Sequence, residues 1–189
     1  MTKRLHIVTY TAWMLFLAVL TCLVFASCSK KTEIRRQMKK FTAATVVIPD
    51  NMDCINGLSV KKYVEKTKKA KLILYYDTLS CQSCSIHHIV QMEPLFDRSK
   101  KSGKFDVLII FSPKSDECAN VITDLVTLDY NFPIYVDTYG SFRDENKCIP
   151  LDIRFHAFLL DKNGHPIFVG NPLDSNPLND LFEKALKKL

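Results

Sequence analysis

The sequence predicts an α/β fold built on one mixed sheet with helices on both faces, and three observations carry that reading. From residue 71 onward, short apolar runs rich in β-branched and aromatic residues alternate with segments of helical spacing. The runs at 71–76 (KLILYY) and 105–111 (FDVLIIF) are nearly continuous in apolar residues, as expected of strands covered on both faces. Near the end, runs at 155–160 and 167–169 are joined by Asp161-Lys162-Asn163-Gly164, whose Asn-Gly is a hairpin signal.

Each element follows in order. Residues 41–49 (FTAATVVIP) predict a short β-rich run closed by the turn Pro49-Asp50-Asn51, and Asn56-Gly57 marks a second turn. A basic, weakly patterned segment leads to the strand at 71–76. After Cys81-Gln82-Ser83-Cys84, Ile86, Ile89, Val90 and Met92 give a helix that Pro94 should kink or end near Glu93. Residues 99–103 are a polar loop. Beyond the strand at 105–111, Ser115 is the expected N-cap of a helix carrying Cys118, Val121, Ile122, Leu125, Val126 and Leu128. A third strand is expected at 133–137 and a short helix at 141–147, with Pro150 enforcing an extended approach to the hairpin. Leu178, Leu181, Phe182, Ala185 and Leu186 form the apolar face of a closing helix. The order β-α-β-α-β-(α)-β-β-α implies parallel pairing of the first three strands and an antiparallel edge.

Chemistry concentrates at Cys81 and Cys84. They stand three residues apart where a buried strand passes through a short loop into a helix. The unpaired N–H groups and the positive end of a helix favour a thiolate at the first cysteine. Cys81 is therefore the candidate nucleophile and Cys84 the resolving thiol. Cys54, Cys118 and Cys148 have no motif spacing and are expected to be small buried apolar side chains. His87 and His88 are expected on an exposed helix face.

The front of the chain belongs to a different category. Lys3-Arg4 precede an apolar run from 7 to 26 that ends at Phe25-Ala26-Ser27-Cys28, the pattern of an export signal. Ala26-Ser27-Cys28 resembles the lipobox of bacterial lipoproteins, with Phe25 in place of the usual Leu, which would make Cys28 the lipidated residue. An uncleaved anchor is the alternative, because the run is long enough to cross a bilayer. The organisation expected is a lipoprotein signal at 1–27, a basic membrane tether at 28–41 and one domain at 42–189. The net charge of +6 is carried by the front: Lys3, Arg4 and a balance of +5 over 30–40 leave 41–189 at −1. A near-neutral domain has no electrostatic footprint for nucleic acid. The basic tether suits an anionic lipid surface, at about 1 kcal/mol per charge.

This order, with C-x-x-C between a central strand and its helix, resembles the thioredoxin-like fold. More narrowly it is similar to exported, membrane-tethered thiol-disulfide oxidoreductases of the thioredoxin and peroxiredoxin superfamily, of the Bacteroidetes lipoprotein type. The segment 158–170 (FLLDKNGHPIFVG) carries that resemblance alongside the dithiol. It implies a periplasm-facing, lipid-anchored protein of the cell envelope that exchanges disulfides in exported proteins through Cys81 and Cys84. Its partners would be a disulfide-containing exported protein or an upstream thiol reductant, and no cofactor is implied. Three positions depart from the family pattern. The loop facing the dithiol, where the family has a cis-proline, carries Phe155 and His156; Tyr75 stands where many thioredoxins bury an acid; Ser80 precedes the first cysteine in place of an aromatic. Two alternatives follow from the residues: a metal (copper) binding protein using Cys81, Cys84 and His156, a soft two-sulfur, one-nitrogen set, or a non-catalytic binding module. A peroxidase is disfavoured, because Leu74 occupies the proline position of the P-x-x-x-T-x-x-C pattern that Thr78 would otherwise fit.

Overall fold

The structure is a computed structural model and describes residue 13 and residues 31–64, 67–80 and 82–189. The expected lipidation site Cys28, Cys81 and all of the expected signal at 1–27 except Trp13 lie outside the described residues, as do the side chains of 82–84. The chain forms two compact units, Met1–Lys39 and Lys40–Leu189. In the first, residues 31–39 are helical, and Glu33 pairs with Arg36 at 2.7 Å and accepts from Gln37 at 3.0 Å, contacts one turn apart on a helix surface. Among the described residues, no helix is long and apolar enough to cross a membrane.

The second unit is built on a seven-stranded mixed sheet in the order β2-β1-β5-β4-β3-β6-β7. Its strands are β1 (Asp53–Asn56), β2 (Ser59–Lys62), β3 (Ala70–Tyr76), β4 (Phe105–Phe111), β5 (Ile134–Val136), β6 (Ala157–Leu160) and β7 (Pro166–Val169). β3, β4 and β5 run parallel, in register from Ala70↔Phe105 to Tyr76↔Phe111 and from Ile109↔Ile134 to Phe111↔Val136. β6 pairs antiparallel with β3, and β7 with β6, as the Asn-Gly hairpin requires.

The unbroken apolar runs of β3 and β4 are explained by two covered faces. Leu72, Leu74, Val107, Ile109, Phe111, Ile134 and Val136 project to one face. There they meet α1 (Gln82–His88), α2 (Glu93–Ser102), α3 (Cys118–Thr127) and α5 (Asn176–Leu186) through Ile86, Leu95, Phe96, Val121, Leu125 and Phe182. Alternate residues project to the other face. There Tyr75 packs on Phe142 of α4 (Ser141–Glu145), Phe158 on Phe41, and Tyr135 on Tyr63.

Several boundaries differ from the sequence reading. Residues 41–49 form no strand: a helical turn runs to residue 42 and 45–49 are extended without a ladder. This segment lies on a face of the sheet, where Phe41 and Val46 are buried, and a strand cannot pair through a face. It is held by side chains and single backbone bonds instead. Asn146, fully buried, accepts from Val47 N–H and donates to Val47 C=O, both at 2.8 Å, and Val46 N–H donates to Gly164 C=O at 2.9 Å. The strands of the extension form at β1 and β2, joined through Asn56-Gly57. Ser115 does not cap α3, which begins three residues later at Cys118 after a turn closed by Glu117 N–H on Lys114 C=O. Pro94 acts as expected, separating a 3-10 turn at Ile89–Met92 from a new helix in whose first turn it sits. Phe155 belongs to a 3-10 turn, Ile153–Phe155, rather than to β6.

The fastening of 45–49 to the hairpin makes Gly164 sensitive. Its φ is +86°, and a Cβ there would approach Val46 O to 2.7 Å. Gly164→Ala is expected to lower stability by about 1–3 kcal/mol in chemical denaturation, because both backbone strain and a clash with a fixed carbonyl must be accommodated.

Candidate redox site at the carboxyl edge of the sheet

The parallel strands end together, β3 at Tyr76, β4 at Phe111 and β5 at Val136, and the loops leaving them form one edge. In open α/β sheets this is the edge where sites are built. β3 leaves through Asp77-Thr78-Leu79-Ser80, Cys81 follows, and α1 begins at Gln82 with Cys84 inside it. The sequence marks this loop only as a break, whereas the structure shows what shapes it. Asp77 is 6% exposed, its Oδ1 accepts from Leu79 N–H at 2.9 Å and from the Ser80 hydroxyl at 3.5 Å, and its carbonyl accepts from Ser80 N–H at 3.0 Å. This is an aspartate closing a turn on its own following backbone. The residue before Cys81 is thereby tied to the end of β3. Past the dithiol, Ile86 and Ile89 are buried while His87 and His88 are exposed, as the helical spacing requires.

His156 is the second component. Its carbonyl accepts from Tyr75 N–H at 2.9 Å, which extends the β3–β6 pairing and places residue 156 beside the end of β3. The side chain is 3% exposed. Nε2 lies 2.9 Å from Pro150 C=O, and because a carbonyl only accepts, Nε2 carries the hydrogen. Nδ1 makes no hydrogen bond and faces Asp77 Oδ2 at 4.0 Å. Burial pushes the imidazole below its ordinary value of 6.5, against the upward pull of Pro150 C=O and Asp77. The Tyr75 ring lies 5.1 Å away, tilted at 47°. Phe155 is half-buried with the Arg154 guanidinium 5.7 Å above its ring, and Arg154 is paired to Asp152, which also caps the 3-10 turn.

A second buried acid that sequence reading missed supports the same edge. Asp137, 1% exposed, accepts from Ser112 Oγ at 3.0 Å, Ser141 N–H at 3.0 Å and Phe142 N–H at 2.8 Å, joining the ends of β4 and β5 to α4. Its signal was the placement of an aspartate at a strand end four residues before Ser141, a backbone-capping position. Cys118 also lies at this edge. It is half-buried, its thiol donates to Lys114 C=O at 3.3 Å, and burial pushes its pKa up. Cys54 and Cys148 are likewise only partly buried, where the sequence suggested full burial. A metal at Cys81, Cys84 and His156 would have Nδ1 alone from the imidazole, since Nε2 is taken by Pro150.

A C-x-x-C loop thus leaves the end of a strand that is flanked by parallel β4 on one side and by the antiparallel β6–β7 hairpin on the other, with the following helix packed back on the sheet. The fold is thioredoxin-like. No protein-family model matches the chain, and no curated protein does. Solved structures do. One is a proposed thiol:disulfide interchange protein DsbE from Chlorobium tepidum, at 18% identity over 75% of this chain and 96% of that one, with a TM-score of 0.48. Another is the C-terminal domain of a proposed thiol-disulfide oxidoreductase from Bacteroides thetaiotaomicron, at 13% identity over 77% and 97%, with a TM-score of 0.49. A third is the exposed lipoprotein thioredoxin of Streptococcus pneumoniae, at 20% identity over 73% and 99%, with a TM-score of 0.45.

The depressed His156 pKa fixes a direction for stability against pH. The unfolded chain takes up a proton near 6.5 and the folded chain does so only at lower pH. The stabilisation from neutral His156 is therefore fully present above 6.5 and is lost as the pH falls through the folded value. Denaturant midpoints measured downward from pH 7.5 should decline in the unmodified protein, and the part of that decline due to His156 should vanish in His156→Gln.

Proposed function

We propose that this protein is a thiol-disulfide oxidoreductase, lipid-anchored through Cys28 at the cell envelope, that exchanges disulfides in exported proteins through Cys81 and Cys84. The observation that carries the reading is the placement of the dithiol, with Cys81 at the junction where a shaped loop leaves the central strand and Cys84 in the helix that follows. Two sulfurs at this spacing can close a disulfide with each other after one of them has attacked a substrate. In the reducing direction, the Cys81 thiolate attacks one sulfur of a substrate disulfide, forming a mixed disulfide and expelling the other substrate sulfur as a thiolate, which takes a proton. The Cys84 thiolate then attacks Cys81 sulfur, the mixed disulfide breaks, and the second substrate thiol leaves. The substrate gains two electrons and the protein ends with a Cys81–Cys84 disulfide. An upstream thiol reductant restores the dithiol by the same two exchanges in reverse. Cys118, half-buried at the same edge, is not needed for this cycle, and its raised pKa makes it a poorer nucleophile at neutral pH.

The surroundings of the loop suit a polypeptide substrate. Leu79 beside the dithiol, and Leu151 and Ile153 in the loop leading to His156, are exposed at this edge. The near-neutral domain places no strong charge requirement on the partner.

With the full-length protein in detergent micelles and dithiothreitol as reductant, reduction of a disulfide-bonded protein substrate should be catalysed. Cys81→Ser should abolish it, and Cys84→Ser should accumulate a mixed disulfide with the substrate, visible on a non-reducing gel. Wild-type rates from Cys81→Ser would overturn the proposal.

A further inference from the structure

The amino edge of the sheet, where β3 and β4 begin and β6 ends, has no part in the thiol chemistry and carries a charge that the net balance conceals. Residues 67–71 bring Lys68, Lys69 and Lys71 to the start of β3. Residues 98–104 bring Arg98, Lys100, Lys101 and Lys104 from the end of α2 to the start of β4, and residues 183–189 bring Lys184, Lys187 and Lys188, against Glu183, to the end of α5. The three segments carry +3, +4 and +2 in a domain that nets −1, which leaves −10 for the rest of it. They meet in space: Lys71 stands in register with Asp106 of β4, Lys104 Nζ donates to Leu186 C=O at 2.8 Å, and Arg98 pairs with Glu183 across α2 and α5.

Helix ends and local acids take up only part of this charge. Lysines complement the dipole at a helix C-terminus, and Lys104 bonds a terminal carbonyl of α5 in that way. Glu183 is held by Arg98, which also donates to Asn179 at 2.8 Å; Asp106 accepts from Thr67, and Asp161 from the N–H groups of its own turn. Lys71 is buried and donates to Thr67 C=O and Lys69 C=O, which fixes the lead-in to β3. Lys100, Lys101, Lys184, Lys187 and Lys188 are exposed, and among the described residues none stands within ion-pair distance of an acid. A groove of about 440 Å³ opens between α2 and α5, with Arg98, Lys101, Lys104 and Lys187 around the buried Phe105 and Leu186. Like charges gathered on one face raise its potential and draw it to a surface of opposite sign.

Resting on the lipid-anchored reading above, we propose that this basic edge is the face by which the domain lies on an anionic phospholipid surface, with headgroup phosphates taken into the groove between α2 and α5. With the chain tethered at Cys28, Phe41 stays within about 45 Å of the lipid even if every intervening residue is extended, so the edge meets the membrane repeatedly. The attraction acts over a Debye length, about 10 Å at 0.1 M salt, and weakens as salt is added. β3 runs from Ala70 at this edge to Tyr76 at the other, about 20 Å at 3.3 Å per residue. A domain lying on its basic edge therefore presents the loop that leads to Cys81 on the side away from the lipid, toward soluble exported proteins. Nucleic acid also carries phosphate, but lipid phosphate is the standing neighbour of a chain tethered at the cell envelope.

The test is lysine acetylation by sulfosuccinimidyl acetate, read residue by residue by mass spectrometry, on the full-length protein with vesicles of phosphatidylcholine alone or mixed with phosphatidylglycerol. On the anionic vesicles, acetylation of Lys100, Lys101, Lys184, Lys187 and Lys188 should slow about three- to tenfold. Lys114 and Lys147, exposed beyond the other ends of β4 and β5, should not change. High salt should abolish the slowing. Lys101→Glu combined with Lys187→Glu should remove it at Lys100, Lys184 and Lys188 while leaving the denaturant midpoint in place. Equal acetylation on the two kinds of vesicle, equal slowing at Lys114 and Lys147, or slowing by duplex DNA and not by anionic vesicles would each overturn the proposal. The intact mass of the same preparation reads lipid at Cys28 separately: slowing without lipid leaves the basic edge standing and removes the anchor, and lipid without slowing removes the basic edge alone.

Discussion

The carboxylate of Asp77 is the group on which the site depends. It is buried at the point where β3 ends, and a buried carboxylate is tolerated only when its oxygens are engaged. One oxygen is engaged by the loop that leads to Cys81, and the other faces His156. The direction in which the chain enters the dithiol is thus set by the satisfaction of one charge. The position of that charge is set in turn by β3, held in register by β4 on one side and β6 on the other.

The same economy explains how the rest of the edge is built. Asp137 performs for β5 and α4 what Asp77 performs for β3 and α1: a strand-end aspartate turns inward and takes the N–H groups of the chain that follows. Both acids are buried, so water is kept from the polar contacts that shape the loops. On the face that carries Tyr75 and Phe142, Asn146 ties the extended segment at 45–49 with the hydrogen bonds a neighbouring strand would have supplied. The extension thereby covers Phe158 and the far side of the sheet without competing for an edge.

Much of the fold was legible because hydrophobic period and turn chemistry agree over most of the domain. The unbroken runs of β3 and β4, Asn163-Gly164, Pro94 and the closing helix each signal locally what they do in the structure. The misread segments are those whose conformation is decided from a distance. Val46 and Val47 favour a strand by propensity, but the surface available to them is a face, and the contact that fixes them comes from Asn146, 99 residues away. Ser115 has capping chemistry, yet the turn closed on Lys114 moves the helix start past it. At the candidate site, Cys81, Cys84, Phe155 and His156 were singled out as candidates by spacing and by resemblance. Asp77 was not, because its burial and its partnership with His156 arise only when residue 156 is bonded alongside Tyr75. A short polar stretch between a strand and a motif carries no sign that one of its members faces inward.

The central claim is that Cys81 and Cys84 form a redox couple rather than a structural bridge or two unrelated thiols. Equilibration of the full-length protein in glutathione buffers of graded potential, with the oxidation state of these two cysteines read by alkylation and mass spectrometry, addresses it directly. The account predicts a single two-electron transition linking Cys81 to Cys84 at a potential above about −300 mV, within the range of exchange-active dithiols. Failure of the two cysteines to pair, or a bridge that forms and resists reduction below about −300 mV as structural disulfides do, would contradict it.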